Sequence, residues 1–272
     1  MHPERNLHEA AYACLMEPGV AEKCAATRAL AAAWNSGLLG LEGAEPAVTI
    51  AAPGRPDRPV LVSPRRLRRR GHGTLEGRAI LLHAVAHIEF NAINLALDAV
   101  YRFRDLPRGF YDDWVRVAAE EVYHFGLVSA HLESLGYAYG DFPAHDGLWE
   151  TARATAHDPL VRMALVPRVL EARGLDVNPA MRARLAGAGD GEAAAILDII
   201  LRDEVGHVAV GNRWFHHLCR ERGLDPWATF AGLVRRHLKG GLRGPFLREH
   251  RLAAGFTEAE LEALEQLAEE KD

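Results

Sequence analysis

Apolar residues recur at three- and four-residue intervals over long stretches of this chain, and strict alternation is almost absent. That is the periodicity of helices. It marks residues 6–36 as an alanine-rich helical segment, broken at Pro18-Gly19 and ending near Asn35-Ser36-Gly37. From Gly73 onward it predicts four long helices. The first runs from about Leu75 to Phe103, with Thr74 placed to cap it and Pro107 beyond its end. The second runs from about Tyr111 to Leu135 and stops at Gly136. A loop over 140–147 leads into a third helical stretch ending at Gly174, and Asn178-Pro179 marks a turn and the start of a short helix. The fourth long helix spans about Glu192 to Arg222. Two shorter helices follow, around 225–238 and 257–270, the last with Thr257 and Glu260 at the spacing of a capping box.

Residues 43–72 break the pattern with five prolines and three glycines, around one short β-like stretch, Val60-Leu61-Val62. They read as an extended connector wrapped on the surface. The expected organisation is an all-α chain: an N-terminal helix and connector over 1–72, an antiparallel four-helix bundle over 73–222, and a C-terminal helical extension over 223–272. Composition changes little in this picture. Alanine, leucine, arginine and glutamate dominate, which favours helices; charged residues make up 25% of the 272 residues, and the net charge of −5 gives no sign of a general nucleic-acid binder. The run Arg65-Arg66-Leu67-Arg68-Arg69-Arg70 is either an anion or RNA contact or a solvated edge pairing with acidic helix faces. Cys14, Cys24 and Cys219 form no CxxC pair and read as reduced thiols. The N-terminus lacks the pattern of a signal peptide, and no apolar run reaches the roughly 18 residues of a membrane span. The expected location is the cytoplasm, with no membrane contact.

Two ExxH pairs, Glu121 with His124 and Glu204 with His207, each put a carboxylate and an imidazole one helical turn apart. Alone they mean little, since about one such pair is expected by chance. Their setting matters more. At roughly 100° per residue, Glu204 sits in the middle of an apolar stripe of Leu197, Ile200, Leu201, Val208, Gly211 and Phe215. Glu121 sits likewise among Trp114, Val117, Ala118, Phe125, Val128 and Leu132. A carboxylate in a core stripe is costly unless something pairs with it.

The other two long helices each offer one more core acid. Glu89 centres a stripe of Leu82, Val85, Ala86, Ile93, Ala96 and Val100, whereas His83 and His87 fall roughly 120–160° away and read as flanking or supporting residues. Glu171 follows Leu160, Met163, Ala164 and Pro167 on one face; Pro167 should kink the helix there, and Arg168 nearby either pairs with a core acid or extends outward. Glu89 precedes Glu121 by 32 residues and Glu171 precedes Glu204 by 33, so each half of the bundle is a hairpin carrying E, then ExxH. Six ligands, Glu89, Glu121, His124, Glu171, Glu204 and His207, could then hold two bridged metals. The alternative is buried ion pairs without metal. Glu120 and Asp203 each precede a ligand glutamate and could orient a ligand histidine through its free N–H, or could be surface acids beside arginines.

This E…ExxH…E…ExxH arrangement resembles the ferritin-like di-iron carboxylate superfamily. Stretches such as LHAVAHIEFNAINLALDAVYRF, FYDDWVRVAAEEVYHFGLVSAHLESLGYAYGDFPAHDGLWE, MALVPRVLEARGLDVNP and ILRDEVGHVAVGNRWF are similar to a bacterial ferritin-like family of unassigned function. The resemblance implies the ferritin-like fold and two irons on the six residues named. Tyr101 and Tyr123 point roughly 120° and 160° away from the ligand directions of their helices, against a radical-generating subunit. The expected activity is that of an O2-activating oxidoreductase acting on a small molecule or RNA, with an external electron donor because no GxGxxG is present. An Mn/Fe pair fits the same ligands. The rival expectations are a ferroxidase or iron-storage protein and a metal-free helical interaction protein. Oligomeric state is left open by the sequence.

Overall fold

The computed structural model describes residues 6–43, 45–67, 71, 73–238 and 241–269. Arg68, Arg69 and Arg70 of the arginine run lie outside the described residues, and Arg65 and Arg66 are exposed in a short 3-10 turn, Pro64–Arg66. Among the described residues the secondary structure is helical apart from two isolated bridges, Asn6 with Gly40 and Leu61 with Ala144. The chain divides into two compact units, Met1–Arg153 with Leu185–Ile196, and Ala154–Arg184 with Leu197–Asp272.

In the first unit, α1 (Leu7–Met16) and α2 (Val20–Asn35) pack on a hairpin of α3 (Leu75–Arg102) and α4 (Arg108–Ser134). The break at Pro18-Gly19 and the Thr74 cap fall where the sequence places them; the Thr74 hydroxyl accepts from the Gly77 N–H at 3.0 Å. Among the described residues, α3 is long and apolar enough to cross a membrane by length and composition, yet 72% of its most apolar window is buried inside the protein, as in a core helix. The connector is tied down by its own backbone. Val62 donates to the Ala144 carbonyl at 2.8 Å, and Gly54 donates to Leu15 at 3.0 Å. A Cβ on Gly54 would stand 2.2 Å from the Met16 carbonyl oxygen, so only glycine allows that approach. His83 and His87 join α3 to the loop after α4: His83 Nε2 accepts from Gly140 at 2.9 Å, and His87 meets Tyr139 at 2.9 Å and the His145 carbonyl at 3.0 Å. Burial holds both imidazoles neutral, with pKa values lowered to about 4. A short helix, α5 (Gly147–Ala154), follows that loop.

Beneath the connector, Pro59 and Leu61 cover a cavity of about 10 Å³ against Phe90, Asn94 and Tyr139. The Asn94 side chain is buried there, and neither its oxygen nor its nitrogen has a hydrogen-bond partner among the described residues. A buried amide left unpaired costs about 1–3 kcal/mol. Asn94→Leu, of similar volume, is therefore expected to raise stability by about 1 kcal/mol or leave it unchanged. A loss of more than that in chemical denaturation would show that the amide anchors the connector.

The second unit departs from the sequence reading. Its first helix, α6 (Pro159–Leu165), starts at Asp158, whose carboxylate accepts from the Leu160 N–H at 2.8 Å. The expected kink at Pro167 takes the form of a π-helical turn, Val166–Glu171. A π turn carries one more residue per turn, which lets the chain pass a proline that has no N–H to give. The helix does not end at Gly174. It continues as α7 (Ala172–Gly187) straight through Asn178-Pro179, with Pro179 inside it. Asn178 donates to the Leu197 carbonyl at 3.2 Å, so tertiary bonding outweighs the local turn signal. Next come α8 (Gly191–Glu221), α9 (Pro226–His237), α10 (Arg248–Ala253) and α11 (Glu258–Glu269); α10 was not expected. The capping box forms as read, with Thr257 N–H on Glu260 at 2.9 Å and Glu260 N–H on the Thr257 hydroxyl at 3.1 Å. The three cysteines are free and buried.

Candidate metal centre

Two antiparallel helices joined by five residues put their midpoints side by side, and the midpoints of α3 and α4 are Glu89 and Glu121. Both stripes face inward as their periodicity requires. Glu89 is 6% exposed, Glu121 1% and His124 0%, and the ligand-type atoms of the three all lie within 4.8 Å of one another. His124 Nδ1 stands 3.4 Å from Glu89 Oε2 and 3.5 Å from Glu121 Oε2. These are long for charge-assisted hydrogen bonds, which settle near 2.7–2.9 Å, and suit three donors arranged around a common point.

The electrostatics fit the same description. Burial, and then the charge of Glu121, push the Glu89 carboxyl well above the usual carboxylate range, with His124 pulling the other way. Burial alone would lower His124, but Glu121 and Glu89 outweigh it and raise its pKa to about 11. Two buried carboxylates and an imidazole are an anionic donor set, for which a divalent cation is the natural counter-charge.

The second unit carries the matching residues. His207, 0% exposed, holds Nδ1 2.7 Å from Glu204 Oε2 one turn earlier on α8. Two close approaches set the register of the preceding strand of helix against α8. A Cβ on Gly211 would stand 2.1 Å from Pro167 Cβ, and one on Gly174 would stand 3.8 Å from Glu204 Oε1. Pro167 therefore lies opposite Gly211 and Gly174 opposite Glu204. Counting inward from both ends puts Glu171 level with His207, so this unit repeats the E, ExxH arrangement of the first.

Glu120 accepts from Arg116 at 2.9 Å and Asp203 from Arg202 at 2.8 Å. Tyr101 is buried and its hydroxyl accepts from the Val48 N–H at 2.8 Å, while Tyr123 is exposed. Arg168 turns inward, 1% exposed, and pairs with Glu260 at 2.7 Å. Of the two directions the sequence leaves open for Arg168, this is the pairing with a buried acid; periodicity does not choose between them because a constant 100° per residue fails across a π turn.

A protein of Haemophilus influenzae described as an uncharacterized protein is 53% identical over 214 residues, covering 76% of this chain and 74% of its own length. No solved structure matches the chain. The model of the family described as "Protein of unknown function (DUF455)" matches residues 16–262, a span that includes all six candidate ligands. The chain belongs to that family.

Proposed function

We propose that this chain is a ferritin-like di-metal carboxylate protein, with Glu89, Glu121, His124, Glu171, Glu204 and His207 as ligands in a four-helix bundle, and that it works as an O2-activating oxidoreductase. The observation that carries this is the buried Glu89–Glu121–His124 vertex. Its counterpart on α8 and the π-helical turn, and the near-equal spacing of the two hairpins, support it. Structural ion pairs do not require such a vertex, since burying two acids beside one imidazole destabilises a fold that has no other use for them.

Two irons held there would supply redox chemistry with dioxygen, and an Mn/Fe pair suits the same donors. The protein's own part is to hold the ligand atoms and keep water out. Glu89 and Glu121 would offer carboxylate oxygens and His124 and His207 a ring nitrogen, each carried by its own helix, α3, α4 or α8. Val85, Ala86 and Ile93 on α3, with Ala118, Phe125 and Val128 on α4, are buried one or two turns from the ligands and make the surroundings dry. Glu120 and Asp203 are paired with Arg116 and Arg202, which favours reading them as surface acids beside arginines over residues that orient the ligand histidines. Electrons would come from an external donor, and the substrate is a small molecule or an RNA; were it RNA, the arginine run over 65–70 would be its contact.

Purification without oxygen, followed by iron counting and O2 addition with and without reductant, tests this reading. It expects about two irons per chain and oxygen uptake that depends on the reductant. Many irons per chain in a large shell would favour iron storage. A folded protein with no affinity for iron, manganese or cobalt would sink both.

A further inference from the structure

We propose that the C-terminal helices α10 and α11 are the frame that aims Glu171, and that Arg168 and Arg251 are positioning residues of the metal centre. This rests on the ligand assignment above and extends it to a part of the chain that the sequence marks only as an appendage.

Glu171 ends a π-helical turn, and a π turn is a register device. Its extra residue rotates everything that follows by about 100° relative to an unbroken α-helix. If the turn relaxed to α geometry, Glu171 and Gly174 would no longer bear the same relation to Pro167. Pro167, which has no N–H to give, accounts for the turn being there; the direction of the residues after it must be fixed by contacts from outside the helix.

Two buried arginines grip the chain on both sides of Glu171. On the N-terminal side, Arg168 donates to Glu260 of α11 at 2.7 Å and to Asn212 Oδ1 of α8 at 2.8 Å. Its guanidinium lies 4.7 Å from the ring centres of Phe215, Phe230 and Phe256. On the C-terminal side, Arg251 of α10 donates to both carboxylate oxygens of Asp176, at 3.0 and 2.7 Å, and to the Ala172 carbonyl at 3.3 Å. Asp176 also accepts from the Leu247 N–H at 2.9 Å, which leads into α10. The two guanidiniums share one ring, since Arg251 stands 5.2 Å from the centre of Phe256. Asn212 closes the loop between them by donating to the Ala254 carbonyl at 2.6 Å.

Apolar packing could dock two short helices at lower electrostatic cost, because a buried ion pair seldom stabilises more than hydrophobic residues of the same volume. What a planar guanidinium adds is direction: it fixes a partner at two points in one plane. Here Arg251 fixes Asp176, five residues after Glu171, at two points, and Arg168, three residues before it, is tied in one plane to Glu260 and Asn212. The charges facing this cluster are consistent with a lock. Burial would raise Glu260, but His216, 3.5 Å away, the Arg168 charge and the Thr257 N–H together hold it well below the usual carboxylate range. Arg168 is thus paired with a full negative charge.

The test uses the full chain loaded with cobalt(II), whose visible absorption reports ligand geometry. Glu260→Gln keeps the shape of α11 but leaves Arg168 unmatched. Leu264→Ala, which truncates a buried apolar residue of the same helix and leaves both arginine pairs their charges, serves as a control for lost stability. The proposal expects Glu260→Gln to weaken one cobalt position by about 10–100-fold, as for other residues that orient ligands, and to alter the spectrum of what remains. Leu264→Ala should lower the melting temperature and leave affinity and spectrum unchanged. If Glu260→Gln does not fold, Arg251→Lys gives the same readout, because it keeps the charge and loses the two-point contact. Wild-type affinity and spectrum in the arginine or glutamate variant would overturn the proposal, as would an equal spectral change in Leu264→Ala. Wild-type protein that takes up no cobalt would instead refute the ligand assignment itself.

Discussion

Glu89→Gln is expected to lower metal content from about two ions per chain to about one while leaving the metal-free protein as stable as before, or more so. The two effects have opposite signs for one reason. Glu89 and Glu121 are both buried and both close to His124, so without metal their charges oppose each other and burial opposes both. Glutamine matches glutamate in shape and removes one of the charges. Its amide oxygen can still accept a hydrogen bond, so little packing is lost, and the melting temperature of the metal-free form should hold or rise. As a metal ligand it is far poorer, being neutral. With metal at 100 times its dissociation constant, one site adds about 2.7 kcal/mol to the folded state. The variant should lose that increment, so the gap between metal-loaded and metal-free melting temperatures narrows. A purely structural Glu89 would behave differently: the variant would melt lower without metal, and its metal content would match the wild type.

Much of this was legible in the sequence, for identifiable reasons. The α3–α4 hairpin has unbroken apolar stripes, a capping threonine and a five-residue connection, so a constant angular step leads correctly from Leu82 to Val100 and from Trp114 to Leu132. Glu89, Glu121 and His124 converge as that step requires. The second unit was harder to read. Pro167 announced a disturbance but not its kind, and after a π turn every facing computed at 100° per residue is displaced. This is why the sequence leaves Arg168 with two directions. Pro179 misled in the opposite way, suggesting a turn where α7 continues, because the bond from Asn178 to Leu197 is invisible without the partner helix. The short α10 has no periodicity to detect in six residues; it is held by Arg251 and Asp176, a pair 75 residues apart.

Gly211→Ala provides the sharpest test of the second unit, because local and tertiary arguments predict opposite signs. In the middle of α8, alanine should be better than glycine by about 1 kcal/mol. Yet a Cβ at this position would lie 2.1 Å from Pro167 Cβ and 2.3 Å from its Cγ, with the Pro167 Cα at 3.5 Å. A proline ring has no rotamer through which to escape, so the π turn or α8 must move. Overpacking of this kind costs about 1–3 kcal/mol and sometimes more, and a contact this close belongs at or beyond the upper end. The expected net loss is about 2 kcal/mol, or roughly 4–8 °C in melting temperature. Gly126→Ala in α4 isolates the local term, since its nearest neighbour is the flexible end of Arg28 at 3.9 Å. That variant should gain about 0.5–1 kcal/mol. Thermal melts that rise equally in both variants would mean that α8 and the π turn are not in contact at Gly211. The opposed shifts would establish the contact that sets Glu171 level with His207, and metal loading of Gly211→Ala should then fall together with its stability.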